Sequence, residues 1–168
     1  MTLLQLVYTG ILSLFLQPDP KVSNPAYADY LQELYSTKVP HISVSSLEQS
    51  EDQNMYILDC RESKEYKISH IKYARQVGNI WFDMRDVYDI PEDALVVVYC
   101  TVGDRSERVA EKLINAGYKQ VYLLYGGLIE WVNEGNPVYT EKEIQTPQVY
   151  LGRQEWQQWL VKGKAIFK

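Results

Sequence analysis

The chain has 168 residues with 46% hydrophobic and 23% charged content, the balance of a folded globular domain with a real core rather than a disordered segment. With 17 Lys and Arg against 22 Asp and Glu, the net charge is −5, and no basic run or stripe offsets it, which argues against a nucleic-acid groove. Two cysteines and two histidines, widely scattered, form neither a metal-ligand cluster nor a disulfide scaffold, so no metal and no cofactor are expected.

In chain order, the first feature is an apolar run over residues 3–16. It is shorter than the roughly 20 residues a membrane helix needs, so no integral span is expected. Its length suits the core of a signal peptide, with the polar break Gln17-Pro-Asp-Pro20 behind it. However, no Lys or Arg precedes it, and Leu14 and Leu16 spoil a small-x-small cleavage site. Residues 1–20 are therefore either an export segment, placing the protein in the periplasm, or a segment packed on a cytoplasmic domain.

Residues 21–41 predict a helical extension. Asn24 is a good N-cap, Pro25 suits the first helical position, and Tyr27, Tyr30, Leu31 and Leu34 share one apolar face. Pro40 to Val44 reads as a short entry strand, with Ser45 or Ser46 capping a helical turn behind it. His41 is expected at the surface or an edge. Met55 to Asp59 and Leu95 to Tyr99 read as buried strands of a parallel sheet. Between them, Asn79 to Tyr88 suggests a partly helical crossover whose Trp81, Phe82 and Met84 pack as core. RSERVAEKLINAG, from Arg105, has helical spacing and ends on Gly117. Gly117 to Leu124 is a further strand, and Gly126-Gly127 opens a helix carrying Leu128, Trp131 and Val132 inward. In the tail, 139–168, Trp156, Trp159 and Leu160 share one helical face. That helix covers the core, forms a dimer contact or docks on the Pro25 helix. The fold class is thus α/β: one open, mainly parallel sheet flanked by helices on both faces.

The chemistry concentrates where the strand ending at Tyr99 turns into the helix beginning near Arg105. A cysteine there, Cys100, meets unpaired backbone N–H groups and the positive end of a helix dipole. Both favour the thiolate, so its pKa is expected below the free value of about 8.5. Arg105 adds a fixed positive charge with a fork suited to an oxyanion. Asp104, with Glu107 three residues on, is expected to cap the helix.

Three ordered motifs carry a family resemblance. Cys100-Thr-Val-Gly-Asp-Arg-Ser106 resembles the active-site loop of the rhodanese superfamily, C-x-x-G-x-R-(S/T). Ile57-Leu-Asp-Cys-Arg-Glu62, Glu65-Tyr66, Ser69-His-Ile71 and Ala74 resemble its first signature. Gly117-Tyr118, Val121, Leu123, Gly126-Gly127, Trp131 and Gly135-Asn-Pro137 resemble its closing one. The likeness covers about residues 42–138 and implies the rhodanese-like three-layer α/β/α fold. Lys72-Tyr73 stands where many relatives carry Pro-Gly.

The resemblance implies sulfur transfer. Cys100 takes the outer sulfur of a small donor as a persulfide, and a thiol or cyanide-like acceptor, either a small molecule or a protein, removes it. The amides of Thr101, Val102, Gly103, Asp104, Arg105 and Ser106 would cradle the charged end. Asp59 and Arg61 would support the loops rather than attack substrate, Cys60 would fill the core, and His70 would be a hydrogen-bonded structural residue. Four residues separate Cys100 from Arg105. Tyrosine-phosphatase-type loops have five, and this shorter loop fits one sulfur better than a phosphoryl group. Neutral Thr101 and Val102, acidic Asp104, and Glu65 where two-domain thiosulfate users carry arginine point away from thiosulfate as donor. The alternative from another class is a module that uses Cys100 for redox sensing or protein docking without turnover. Anion or arsenate handling on the same loop is a third option.

Overall fold

A computed structural model describes residues 21–36 and 38–167; the apolar run over residues 3–16 lies outside them. The central sheet is built from β1 (His41–Ile42), β2 (Met55–Asp59), β3 (Arg75–Gln76), β4 (Leu95–Tyr99) and β5 (Gln120–Leu124). Their order is β1-β5-β4-β2-β3, and every neighbouring pair is parallel. β4 lies in the middle, and all five of its residues are buried. That accounts for its unbroken β-branched and aromatic run, since a strand covered on both faces has no position for a polar side chain.

The period of two along β4 divides the core. Leu95, Val97 and Tyr99 face one cluster, which also holds Tyr27 and Leu31 of α1 (Pro25–Leu34), Val44 and Leu47 of α2 (Val44–Glu48), and Leu128, Ile129 and Val132 of α5 (Gly127–Asn133). Val96, Val98 and Cys100 face the other, with Val109, Ala110 and Leu113 of α4 (Asp104–Asn115) and Phe82, Val87 and Ile90 of the crossover. Helices on both faces of one parallel sheet make the three-layer α/β/α fold expected from the pattern. A shorter helix, α3 (Ser63–Ile68), follows β2. No described helix is long and apolar enough to cross a membrane.

Several local expectations need correction. α2 is capped by Ser43, whose side chain accepts from Ser46 N–H, rather than by Ser45 or Ser46. His41 does lie at an edge, on the outer strand β1, where it is half-buried, stacked on Tyr35 at 4.9 Å and edge-on to Tyr125 at 5.4 Å, and burial lowers its pKa. In the crossover Phe82 is buried, but Trp81 is 85% exposed: only a single 3-10 turn, Met84–Asp86, forms there, and it leaves the indole outside. Tyr73 has φ +63°, a left-handed conformation that glycine adopts without strain.

The tail contains β6 (Val138–Tyr139) paired with β7 (Gln145–Thr146), and β8 (Gln148–Tyr150) paired with β9 (Lys164–Ile166). Its tryptophans lie on a 3-10 helix, Gln154–Trp159, rather than an α-helix. This turn docks on α1. Trp159 stacks on Tyr27 at 5.5 Å and Tyr30 at 5.7 Å, and Trp156 Nε1 donates to the Tyr30 hydroxyl at 3.1 Å. Of the three roles open to the tail, packing on the Pro25 helix over the core is the one seen.

Because Trp156 is only 4% exposed, Trp156→Ala should cost about 3–5 kcal/mol in denaturant unfolding. Trp81→Ala should stay within about 0.5 kcal/mol of the parent.

Candidate active site

β2 and β4 run in register, with Leu58 beside Val98 and Asp59 beside Tyr99. Both strands therefore end at one rim, and Asp59 and Cys100 share it, at the carboxyl ends where open parallel sheets hold their sites. The Cys100 loop is also tied to the start of α5, because Leu128 and Ile129 N–H donate to the carbonyls of Cys100 and Thr101 at 3.0 and 3.3 Å. Gly127 is required there. A Cβ on it would lie 2.6 Å from the Cys100 carbonyl oxygen, at a φ of +57°.

Asp59 and Arg61 form a fully buried pair, with Arg61 Nη2 2.6 Å from Asp59 Oδ2 and Arg61 Nε 3.0 Å from Oδ1. Tyr99 hydroxyl donates to Asp59 Oδ2 at 2.6 Å and accepts from Ile71 N–H at 3.1 Å, while Arg61 Nη2 also donates to the Ser69 carbonyl. The pair thus pins β2, β4 and the turn after α3 together, and neither partner reaches Cys100. His70 is structural in its contacts: fully buried, stacked 3.8 Å on Tyr66, with Nδ1 2.9 Å from the Tyr66 carbonyl and Glu143 Oε1 3.5 Å from Nε2. Cys60 is also fully buried, and burial raises its thiol pKa well above the ordinary value. It forms no disulfide with Cys100.

The Cys100 thiol sits inside its loop. Gly103 N–H donates to Sγ at 3.0 Å, and Sγ lies 3.3 Å from Asp104 Oδ1 as donor. Gly103 has φ +116°, which turns its amide inward. The helix is capped by Gly103 rather than Asp104; Asp104 is the first helical residue and spends its carboxylate on the thiol. Glu107 accepts from Ser36 Oγ instead of closing a capping box. Thr101, Val102 and Ser106 are buried. Thr101 Oγ1 accepts from Arg105 Nη2 at 3.1 Å, and Ser106 Oγ donates to the Gly103 carbonyl at 2.8 Å. Of the loop residues put forward to bind substrate, these use their side chains to hold the loop.

Arg105 is engaged as well. Its guanidinium grips Glu65 with both ends of its fork, Nη1–Oε2 at 2.6 Å and Nη2–Oε1 at 3.0 Å. Glu62 N–H donates to the same carboxylate at 3.0 Å. Burial works to raise the Glu65 carboxyl, but the hydrogen bonds and charge of Arg105 outweigh it and hold it below the usual range. The sequence placed Glu65 in the first signature without revealing this pairing.

The expectation of a lowered Cys100 pKa is reversed. Burial raises it, the Asp104 carboxylate raises it further, and Arg105 with the amides of Ser106 and Gly103 offset only part. Position at a helix N-terminus is outweighed once the sulfur is 0% exposed and a carboxylate accepts its proton. Beside the loop opens a cleft of about 450 Å³, lined among others by Asp104, Arg105, Lys64, Arg108 and, from the tail, Arg153 and Trp156.

Comparison with known proteins agrees with this geometry. The Rhodanese-like domain family matches residues 43–134. The chain belongs to that family. It is 30% identical over 111 residues to the tRNA uridine(34) hydroxylase of Hamiltonella defensa, and 33% identical over 110 residues to that of Streptococcus thermophilus. These alignments take in 63% and 60% of this chain but span only 30% and 31% of the relatives' length. Among solved structures it is similar to the rhodanese-like domain of an Anabaena protein, with TM-score 0.55 and 27% identity over 64% of this chain and 84% of that one. Thiosulfate sulfurtransferase from Pseudomonas aeruginosa shares the fold, with TM-score 0.55 and 23% identity, covering 71% of this chain and 24% of that one.

The site gives a signed pH expectation. Cys100 alkylation by iodoacetamide, followed by mass spectrometry of the Cys100 peptide, should rise with a midpoint above the ordinary thiol value of about 8.5. Asp104→Asn, which removes a carboxylate that raises the pKa, should move that midpoint down.

Proposed function

We propose that this protein is a sulfurtransferase that carries sulfane sulfur on Cys100. The observation that supports this best is the placement of Sγ: within a loop of C-x4-R size, bonded by the Gly103 amide at 3.0 Å, at the strand-to-helix junction of a rhodanese-like domain. In the first half-reaction the Cys100 thiolate attacks the outer sulfur of a donor. A new S–S bond forms at Sγ, the donor's own bond to that sulfur breaks, and the rest of the donor leaves with the electron pair. In the second, an acceptor nucleophile attacks the outer sulfur and Cys100 leaves as thiolate. The thiol proton passes toward Asp104 Oδ1, which already accepts it at 3.3 Å.

The cleft beside Asp104 and Arg105 is the route by which donor and acceptor reach the loop. The cleft as a whole carries Lys64, Arg108 and Arg153 beside Glu62, Glu65 and Asp104. At the sulfur itself, however, the nearest charge is the Asp104 carboxylate, 3.3 Å from Sγ, and Arg105 is occupied by Glu65 and does not offer a free fork to a small dianion. A persulfide or polysulfide donor therefore suits the site better than thiosulfate. The relatives named for tRNA uridine hydroxylation extend well beyond the matched stretch, and a net charge of −5 gives no general attraction for RNA. Hydroxylation is therefore not carried over to this chain.

Intact-protein mass spectrometry after brief exposure to polysulfide should show a gain of one sulfur that dithiothreitol removes. Cys100→Ser should show none while keeping the parent's unfolding transition. Thiosulfate should load more slowly than polysulfide. No adduct with either donor overturns the reading in favour of a non-turnover sensor or docking module.

A further inference from the structure

Tyr35 lies outside the 43–134 stretch matched by the family, in the segment just after α1, yet it touches the loop that holds the nucleophile. Its hydroxyl donates to the Val102 carbonyl and accepts from Gly126 N–H at 3.2 Å. The Val102 carbonyl and the Gly103 N–H belong to one peptide group, and that N–H is the donor on Cys100 Sγ at 3.0 Å. The four groups form a line: Gly126 N–H to Tyr35 hydroxyl, hydroxyl to Val102 carbonyl, and across the peptide from Gly103 N–H to sulfur.

We infer that Tyr35 is a positioning residue for Cys100, orienting and polarising the Val102–Gly103 peptide so that its N–H binds the reactive sulfur. This rests on the sulfurtransferase reading for its purpose, but its physics concerns the thiol alone. A hydrogen bond at a carbonyl strengthens the N–H of the same peptide as a donor, and hydrogen bonds in series polarise one another away from bulk water. The stronger that donor, the better a negative sulfur is tolerated against the burial and the Asp104 charge that oppose it.

The local packing fixes the geometry. The Tyr35 ring is stacked on His41 at 4.9 Å and edge-on to Tyr125 at 5.6 Å, so the hydroxyl has little freedom to leave the loop. Any Cβ on Gly103 would overlap the Tyr35 ring and hydroxyl, so glycine is needed at that position for Tyr35 as well as for its φ of +116°. Ser36 Oγ donates to Glu107 Oε1 on α4, tying the next residue of the segment down beside the loop. The placement is therefore built from several directions.

The test is the pH profile of Cys100 alkylation in the full chain, read by mass spectrometry of the Cys100 peptide, for the parent, Tyr35→Phe and Tyr30→Phe. Tyr35→Phe keeps the ring and removes one oxygen. Below the midpoint its rate should fall about two- to threefold, because the Gly103 bond to sulfur remains and loses only the polarisation and orientation that the phenol gives it. The midpoint should move up, and the high-pH plateau should be unchanged. Tyr30→Phe removes the hydroxyl that accepts from Trp156 Nε1, away from the loop, and should leave the profile in place. A Tyr35→Phe profile that superimposes on the parent overturns the inference and leaves Tyr35 as packing alone. Faster alkylation at every pH also overturns it, showing the phenol to be only a cover over the sulfur. Because alkylation needs no sulfur donor, either result is independent of whether Cys100 carries sulfur in turnover.

Discussion

A short loop has to close over a sulfur atom with its amides turned inward, and the bidentate grip of Arg105 on Glu65 is what holds it shut. Glu65 lies on α3 and Arg105 on the first turn of α4, so this one ion pair ties together the segments that leave β2 and β4. Planar fork-to-fork geometry gives it direction as well as strength. Around it the other constraints fall into place. The buried Asp59–Arg61 pair, capped by the Tyr99 hydroxyl, locks the rim beneath. Leu128 and Ile129 N–H anchor the loop carbonyls from the start of α5. Removing one partner of such a buried pair would strand a charge without water, which is why these sites order the geometry even when their net stabilisation is small.

The electrostatics describe a restrained thiol. Amides of Gly103 and Ser106 and the charge of Arg105 favour the thiolate, while burial and Asp104 oppose it and prevail. A thiol held protonated and out of solvent is slow to oxidise, since oxidation follows thiolate character and exposure. Tyr35 acts on the favourable side of this balance, strengthening the Gly103 amide, one of the two that favour the thiolate. The segment that carries it, and the tail whose Trp156 and Trp159 pack on the same helix, show the two extensions outside the family stretch working with the domain rather than apart from it.

Much of this was legible in the chain. β2 and β4 run from Met55 to Asp59 and Leu95 to Tyr99 as read, because strands buried on both faces cannot hide their apolar runs. The helix after Gly103 and its stop at Gly117 followed from spacing and from glycine's left-handed conformation. What sequence could not show was set by three-dimensional partners. Asp104 has the composition of a cap, but Cys100 Sγ was near enough to take its carboxylate. The thiol pKa moved the other way because burial has no linear signature. Trp81 is aromatic in a region that sounded like core, yet it faces solvent. Tyr35 follows a helix with no spacing that marks it; its role exists only because the segment folds back across about seventy residues onto Val102.

The central claim is that sulfur rests on Cys100 between two separable half-reactions. The most direct measurement is to load the protein with polysulfide, remove all donor by gel filtration, and add dithiothreitol or cyanide to the isolated chain. Each loaded chain should release a single sulfur to the acceptor and return to its original mass, with Cys100→Ser releasing none. Sulfur that passes only while donor and acceptor are both present, with none retained on the isolated chain, would contradict it.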